Sequence, residues 1–295
     1  MVLSTDTVAD VSAKLYEKAC KTVPVEVQEA LKKALEKESN QLAKMQLGKM
    51  LENIRAARED DNVICQDLGV PCFFIKYGTL VRFEGDLNEA IARGMRKLYD
   101  EPPHLQTYQI NPFGWKMGPS WEGAHTPLVH VELLPGADYV EIKAFPKGGG
   151  SAMWGKVRLD EWKKATTEDV KRFVLESLLD AGPRSCPPYI IGVGIGGTID
   201  YVSYLAKLAT TRSIDKRHPD PKVAAMESDI LEAVNKTGIG VMGLGGDTTA
   251  LAVNIEYASN HMYITPMAFE LNCWPGRQAS ARVFEDGTVT YLDGN

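Results

Sequence analysis

Cys186-Pro187-Pro188-Tyr189-Ile190-Ile191-Gly192-Val193-Gly194-Ile195-Gly196-Gly197-Thr198 leads into a helical run from Ile199 to Thr211. The apolar stretch from Tyr189 to Val193 reads as a buried strand, and the glycines behind it turn the chain into a helix. Strand, glycine turn and helix in that order predict a mixed α/β fold. The same residues satisfy Gly-x-Gly-x-x-Gly, and Asp215 stands near where a dinucleotide fold carries its ribose-binding acid. Two features count against a nicotinamide-dependent (NAD) oxidoreductase. The motif is mid-chain behind a helical region instead of opening a βαβ unit, and its strand starts directly after Cys186-Pro187-Pro188. A tight strand-to-helix turn that needs small residues is the competing reading.

Working outward, Val25, Val27, Ala30, Leu31 and Leu35 trace one helical face, and Leu42, Met45, Met50, Leu51 and Ile54 another, so residues 1–60 form a helical layer. Val70 to Tyr77 reads as a buried strand, and Asp86 as the N-cap of a helix reaching Tyr99. Glu101 to Pro119 is irregular. Leu128–Leu134 and Tyr139–Phe145 flank Pro135-Gly136-Ala137-Asp138 as a β-hairpin. Further helices are expected over Thr167–Leu179 and from Pro221 through Val234, strands over Thr248–Tyr257 and Met262–Leu271, and a last hairpin at Asp286-Gly287. The expected architecture is an N-terminal helical layer followed by mixed β-sheets surrounded by helices. No linker or repeat divides the chain, so residues 1–295 read as a single domain.

The 295 residues suffice for a sizeable core, and 44% hydrophobic with 24% charged residues is a globular composition. A formal net charge of -6, with no basic stripe, argues against nucleic acid as a partner. No apolar run is long enough to span a membrane and residues 1–10 lack a signal-peptide pattern, which predicts a cytoplasmic protein. Five cysteines without dense spacing suit a reducing compartment better than a disulfide framework.

Three of those cysteines, Cys65, Cys186 and Cys273, sit on glycine- or proline-bent turns beside polar residues, whereas Cys20 ends a helix-like run and Cys72 enters the apolar Cys72-Phe73-Phe74-Ile75. Three thiolates on turns suggest a ligand set for one iron–sulfur cluster, with one iron open as a Lewis acid. The competing reading is ordinary buried thiols. Gly148-Gly149-Gly150 and Gly243-Leu244-Gly245-Gly246-Asp247 offer backbone N–H groups to an anion, or serve as sharp turns.

Cys65-Gln66-Asp67-x-Gly69, Lys147-Gly148-Gly149-Gly150, Cys186-Pro187-Pro188, Gly194-Ile195-Gly196-Gly197-Thr198 and Asn272-Cys273-Trp274-x-x-Arg277 occur in order and at spacings that resemble the class I fumarate hydratases. More closely, the chain resembles the separate α subunit of the two-subunit fumarases and L(+)-tartrate dehydratases. The resemblance implies a [4Fe-4S] hydro-lyase acting on a small C4 dicarboxylate: fumarate/(S)-malate first, tartrate to oxaloacetate as the alternative. It implies Cys65, Cys186 and Cys273 as ligands, Asp67 and His261 as catalytic residues, and Gln66, Asp67, Gly148, Gly149 and Gly150 as substrate-binding. In single-chain relatives a C-terminal domain supplies the proton-abstracting residue, so a β subunit carrying that swivelling domain is the expected partner, in a heterotetramer or higher oligomer. Two departures stand out: Leu68 replaces the usual Thr, and Pro103-His104-Leu105-Gln106-Thr107-Tyr108 lacks an Arg that binds substrate in relatives. A non-catalytic iron–sulfur scaffold subunit is the reading from another class.

Overall fold

A computed structural model describes residues 2–114, 116–161 and 166–292. The N-terminal region is three helices, α1 (Thr5–Lys21), α2 (Val25–Lys37) and α3 (Gln41–Glu59). There follow β1 (Val70–Gly78), α4 (Leu87–Asp100), β2 (Tyr108–Ile110), β3 (Met117–Pro119), β4 (Leu128–Leu134) and β5 (Tyr139–Lys147). The next segment holds α5 (Gly149–Ala152), β6 (Lys156–Glu161), α6 (Thr167–Ala181), β7 (Tyr189–Ile195), α7 (Ile199–Ala209) and α8 (Pro221–Asn235). The last strands are β8 (Ala250–Tyr257), β9 (Ile264–Asn272), β10 (Ala279–Phe284) and β11 (Val289–Tyr291). The mixed α/β class and the helical character of the N-terminal residues are therefore as the sequence predicts. Among the described residues no helix is long and apolar enough to cross a membrane.

The chain folds as two compact units. The first comprises Met1–Pro24, Ala56–Gly148 and Arg277–Asn295. Its sheet has the order β11-β10-β5-β1-β4, with β1 and β4 parallel and the other neighbours antiparallel. Helices α1 and α4 lie on it, burying Val8, Leu15, Ile91 and Met95 with Phe73, Ile75, Ile142 and Ala281. Each of these side chains larger than Ala281 contributes about 1.5–3 kcal/mol by leaving water. Asp86 caps α4 as expected, accepting from the amides of Asn88 at 2.8 Å and Glu89 at 3.2 Å.

One expectation fails here. The runs Leu128–Leu134 and Tyr139–Lys147 are both strands, but they do not form a hairpin, because β1 lies between them: Cys72 pairs with Leu128 on one side and Phe145 on the other. The cause is the run Pro71–Ile75, buried at every position, which needs neighbours on both edges. The Pro135–Asp138 turn then spans two strand spacings, about 10 Å, within reach of four residues. It arches over Gly78, where a Cβ would stand 2.5 Å from the Ala137 carbonyl oxygen.

The second unit comprises Val25–Arg55 and Gly149–Gly276. Its sheet order is β6-β9-β7-β8, with β7 and β8 parallel and both other pairs antiparallel. Helices α6 and α8 cover one face through Val170, Phe173, Ile230 and Val234, and α7 covers the other through Val202 and Ala206 against Ala268. Strand β6, unforeseen in the sequence, is an edge strand that leaves Val157 and Leu159 exposed. In α3 the buried stripe is Ala43, Leu47, Met50 and Ile54, a four-and-three spacing that turns the expected Leu42 and Met45 to solvent.

The dinucleotide reading fails in this unit. Among the described residues of this unit only one strand pair is parallel, and the space before Gly192 and Gly194 is filled by α7: a Cβ at either would strike the backbone carbonyls of Ala206 or Val202. These glycines let a helix lie directly on a strand. A buried polar network ties α8 to β8. Glu227, fully buried, accepts from Arg212, from the Ile255 amide at 2.9 Å and from the His218 amide at 3.1 Å. His218 thus sits in a turn, with its Nδ1 accepting from the Asp220 amide at 3.0 Å.

Candidate active site

In the second unit, Cys186 enters β7 and Cys273 leaves β9. The two strands are antiparallel with Ile190 opposite Asn272, so strand register alone brings both cysteines to one end of the sheet. The Trp274 amide donates to the Cys186 carbonyl at 3.2 Å, and the Gly276 amide to the Cys273 carbonyl at 3.0 Å. Cys186 has a positive φ of 57° and an exposed side chain; Cys273 is half-buried. Beneath them the Tyr189 hydroxyl donates to the Gly182 carbonyl at 2.7 Å and accepts from the Ser185 amide at 3.3 Å. Burial first, then the nearby Cys186 and Cys273, push the Tyr189 phenol up to about 12, against a pull downward from the Ser185 amide. The Ser185 hydroxyl donates to the Gly150 carbonyl at 2.8 Å, which fastens Gly149 and Gly150 to this same cluster.

The first unit holds Cys65, Gln66, Asp67 and Gly148. The loop after Cys65 is fixed by side chains from afar: the Tyr16 hydroxyl donates to the Leu68 carbonyl at 2.7 Å, and Arg277 Nη1 donates to the Asp67 carbonyl at 2.6 Å. The Asp67 side chain accepts from the Gly69 amide through Oδ1 at 2.9 Å. A Cβ at Gly148 would lie 3.0 Å from Asp67 Oδ2, and one at Gly69 (φ 77°) would meet the Lys147 backbone at 2.8 Å, so the loop is pressed onto the end of β5. Gln66 and Asp67 are exposed, and the unusual Leu68 is half-buried against the core of this unit.

His261 belongs elsewhere in the second unit. It is exposed at the start of β9, its ring 5.1 Å from that of Tyr263 and its Nδ1 accepting from the Tyr263 amide at 3.3 Å. Cys273 is at the other end of this nine-residue strand, roughly 30 Å away at the usual rise per residue. The loop Gly243–Thr249 carries no open cradle: the Asp247 amide is bound by the buried Glu38 carboxylate at 2.9 Å, and Asp247 in turn accepts from the Ser39 amide at 2.9 Å. His104 is exposed, with Nδ1 3.3 Å from the Tyr99 carbonyl. Tyr16 and Ser185 escaped sequence reading because each looks like an ordinary apolar-stripe or turn residue.

The five cysteines divide by exposure as their contexts predict. Cys20 and Cys72 are fully buried, while Cys65, Cys186 and Cys273 reach solvent. Burial above all pushes the Cys20 thiol up to about 12, which keeps it a protonated packing group. Among the described residues no three or more His, Cys, Asp or Glu side chains close around a point as the shell of a single metal ion. An iron–sulfur cluster is held by cysteine thiolates on several irons, a pattern different from the shell of a single ion.

An α/β chain with catalytic-type residues on glycine and proline turns defines an enzyme of the hydro-lyase class once its relatives are considered. The chain belongs to the fumarate hydratase (Fumerase) family, whose model matches residues 9–282. It is 37% identical over 285 residues to the putative L(+)-tartrate dehydratase subunit alpha of Methanocaldococcus jannaschii, covering 96% of this chain and 99% of that relative. It is 29% identical over 270 residues to the L(+)-tartrate dehydratase subunit alpha of Escherichia coli strain UTI89, covering 92% of this chain and 88% of the relative.

Proposed function

We propose that this chain is the cytoplasmic α subunit of a [4Fe-4S] hydro-lyase that interconverts fumarate and (S)-malate, working with a β subunit in a heterotetramer or higher oligomer. The observation that carries it is the union of Cys186 and Cys273 on adjoining strand ends, inside a chain of the fumarate hydratase family. Cys65, Cys186 and Cys273 would hold the cluster. When bound, it supplies a Lewis-acidic iron for a hydroxyl or carboxylate oxygen of the substrate.

The chain's own residues supply orientation and proton handling. The Gln66 amide and the N–H groups of Gly148, Gly149 and Gly150 bind a carboxylate that has left water. Asp67 exchanges a proton with the substrate, its carboxylate aimed by the Gly69 amide. Removing a proton beside a carboxylate builds negative charge, and those donors meet it. The length of β9 supports assigning His261 to the site of a second copy of this chain, since its own Cys273 is a strand length away.

A second reading, L(+)-tartrate as substrate, is favoured by the names of the relatives. Both readings are tested by anaerobic purification with the β subunit, iron and sulfide quantification, and assay with fumarate, (S)-malate and L(+)-tartrate. Turnover of fumarate confirms the first, turnover of tartrate alone replaces it with the second, and a cluster-loaded complex that hydrates or dehydrates no C4 diacid leaves the scaffold role.

A further inference from the structure

Gln66 and Asp67 extend into solvent from a surface loop, a setting in which backbone is ordinarily mobile. Their main chain is nevertheless held from inside. Arg277 is 2% exposed and donates from Nη1 to the Asp67 carbonyl at 2.6 Å. Tyr16, 1% exposed, places its hydroxyl 2.7 Å from the Leu68 carbonyl and 3.3 Å from that of Gly69. Three consecutive carbonyls are thus turned inward onto two buried side chains, from the first helix and from the residue that starts the last segment of the unit. Arg277 Nη2 and Asp67 Oδ2 both border Gly148: a Cβ there would be 3.0 Å from Oδ2 and 3.6 Å from Nη2. Burying a guanidinium is costly unless donors are engaged, and here Nη1 is engaged on the loop that carries the candidate chemistry. The positive charge is felt through this part of the unit, opposing the burial that raises the Tyr16 and Cys20 acids.

We propose that Arg277 is a positioning residue for Gln66 and Asp67, with Tyr16 as the opposing jaw of a clamp on the loop backbone. The planar fork matters, because one arm takes the Asp67 carbonyl while the other borders Gly148, and an ammonium reaches only one of these. The inference rests on the reading of Asp67 as a residue that acts on substrate.

The test uses the full chain with its β subunit, carrying Arg277→Lys, Arg277→Gln or Tyr16→Phe. Arg277→Lys is expected to keep its iron and its cooperative unfolding while kcat falls about 100-fold with KM little changed, as misplacement of a reacting group does. Loss of iron and activity in step would make Arg277 a mere support and overturn the proposal. The second readout needs no turnover. In the reduced, cluster-free chain kept free of air, the rate of iodoacetamide alkylation at Cys65 relative to Cys186 is followed by mass spectrometry. Arg277→Gln should raise that ratio about tenfold, as loss of a charged hydrogen bond that held the loop would, and Tyr16→Phe should raise it less. An unchanged ratio overturns the clamp; if Arg277→Gln does not fold, the ratio in Tyr16→Phe decides. Should the wild-type complex turn over no diacid, the functional reading fails while the alkylation ratio still decides the clamp.

Discussion

The loop after Cys65 and the turns at Cys186 and Cys273 each present a solvent-accessible cysteine, and they are held by opposite means. The turns inherit their position from strand register, since β7 starts where β9 ends and one backbone hydrogen bond joins them. The Cys65 loop has no such ladder and depends on Tyr16 and Arg277, distant in sequence and buried. On the proposed clamp, a single side-chain change should displace the Cys65 loop more than it displaces the two strand-end turns.

The sharpest way to break this comparison is Cys186→Ser, which should abolish iron retention while Cys20→Ser retains its iron; equal iron in the two purified proteins contradicts the ligand assignment. Asp67→Asn should slow turnover by about 10²–10⁴-fold with the cluster intact, the range for a lost acid–base group. Steady-state kinetics on the iron-loaded complex reads it, and a smaller loss moves the proton role elsewhere. For His261, chains carrying His261→Asn and Cys186→Ser, each inactive alone, should regain activity when co-expressed. No recovery returns His261 to its own chain's chemistry or to none.

Two smaller effects sharpen the contrast. The sheet behind the Cys186 and Cys273 turns leans on Glu227, so Glu227→Ala should lower stability in urea unfolding by about 2–4 kcal/mol, the cost of leaving the Ile255 and His218 amides without their acceptor. In the other unit Cys20 adds an alkaline sensitivity. Its thiol is held protonated up to about 12 in the fold but ionises near the ordinary value of 9.0 when unfolded. The unfolded chain therefore sheds its proton first, and the stability from this group, full below about pH 8.5, drains as pH rises toward 12. Cys20→Ala should flatten the fall of melting temperature between about pH 8.5 and 10. An identical slope in both proteins removes Cys20 as the cause.

Local signals made most elements legible. Asp86 announces α4, Pro221 opens α8, and Asp286-Gly287 marks the last hairpin because capping and turn chemistry act over three or four residues. The split of β4 and β5 by β1 was hidden, since adjacency in sequence favours a hairpin and only the demand of Pro71–Ile75 for two neighbours overrides it. Leu42 and Met45 misled because apolar residues were read without the exact helical phase that selects Ala43 and Leu47. In the candidate site, the motif-bearing turns could be read from their glycines, prolines and cysteines. Tyr16 could not, because a phenol on an apolar stripe looks like packing until its hydroxyl is seen on the Leu68 carbonyl.

The close seat of α7 on Gly192 and Gly194 has a bearing on how such chains are catalogued and re-engineered. A glycine fingerprint is chemically silent about what occupies the vacancy it creates; here the tenant is a helix backbone, where elsewhere it is a pyrophosphate. Grafting a nucleotide onto this turn would require evicting that helix, whereas even a methyl at Gly192 would have to prise it away.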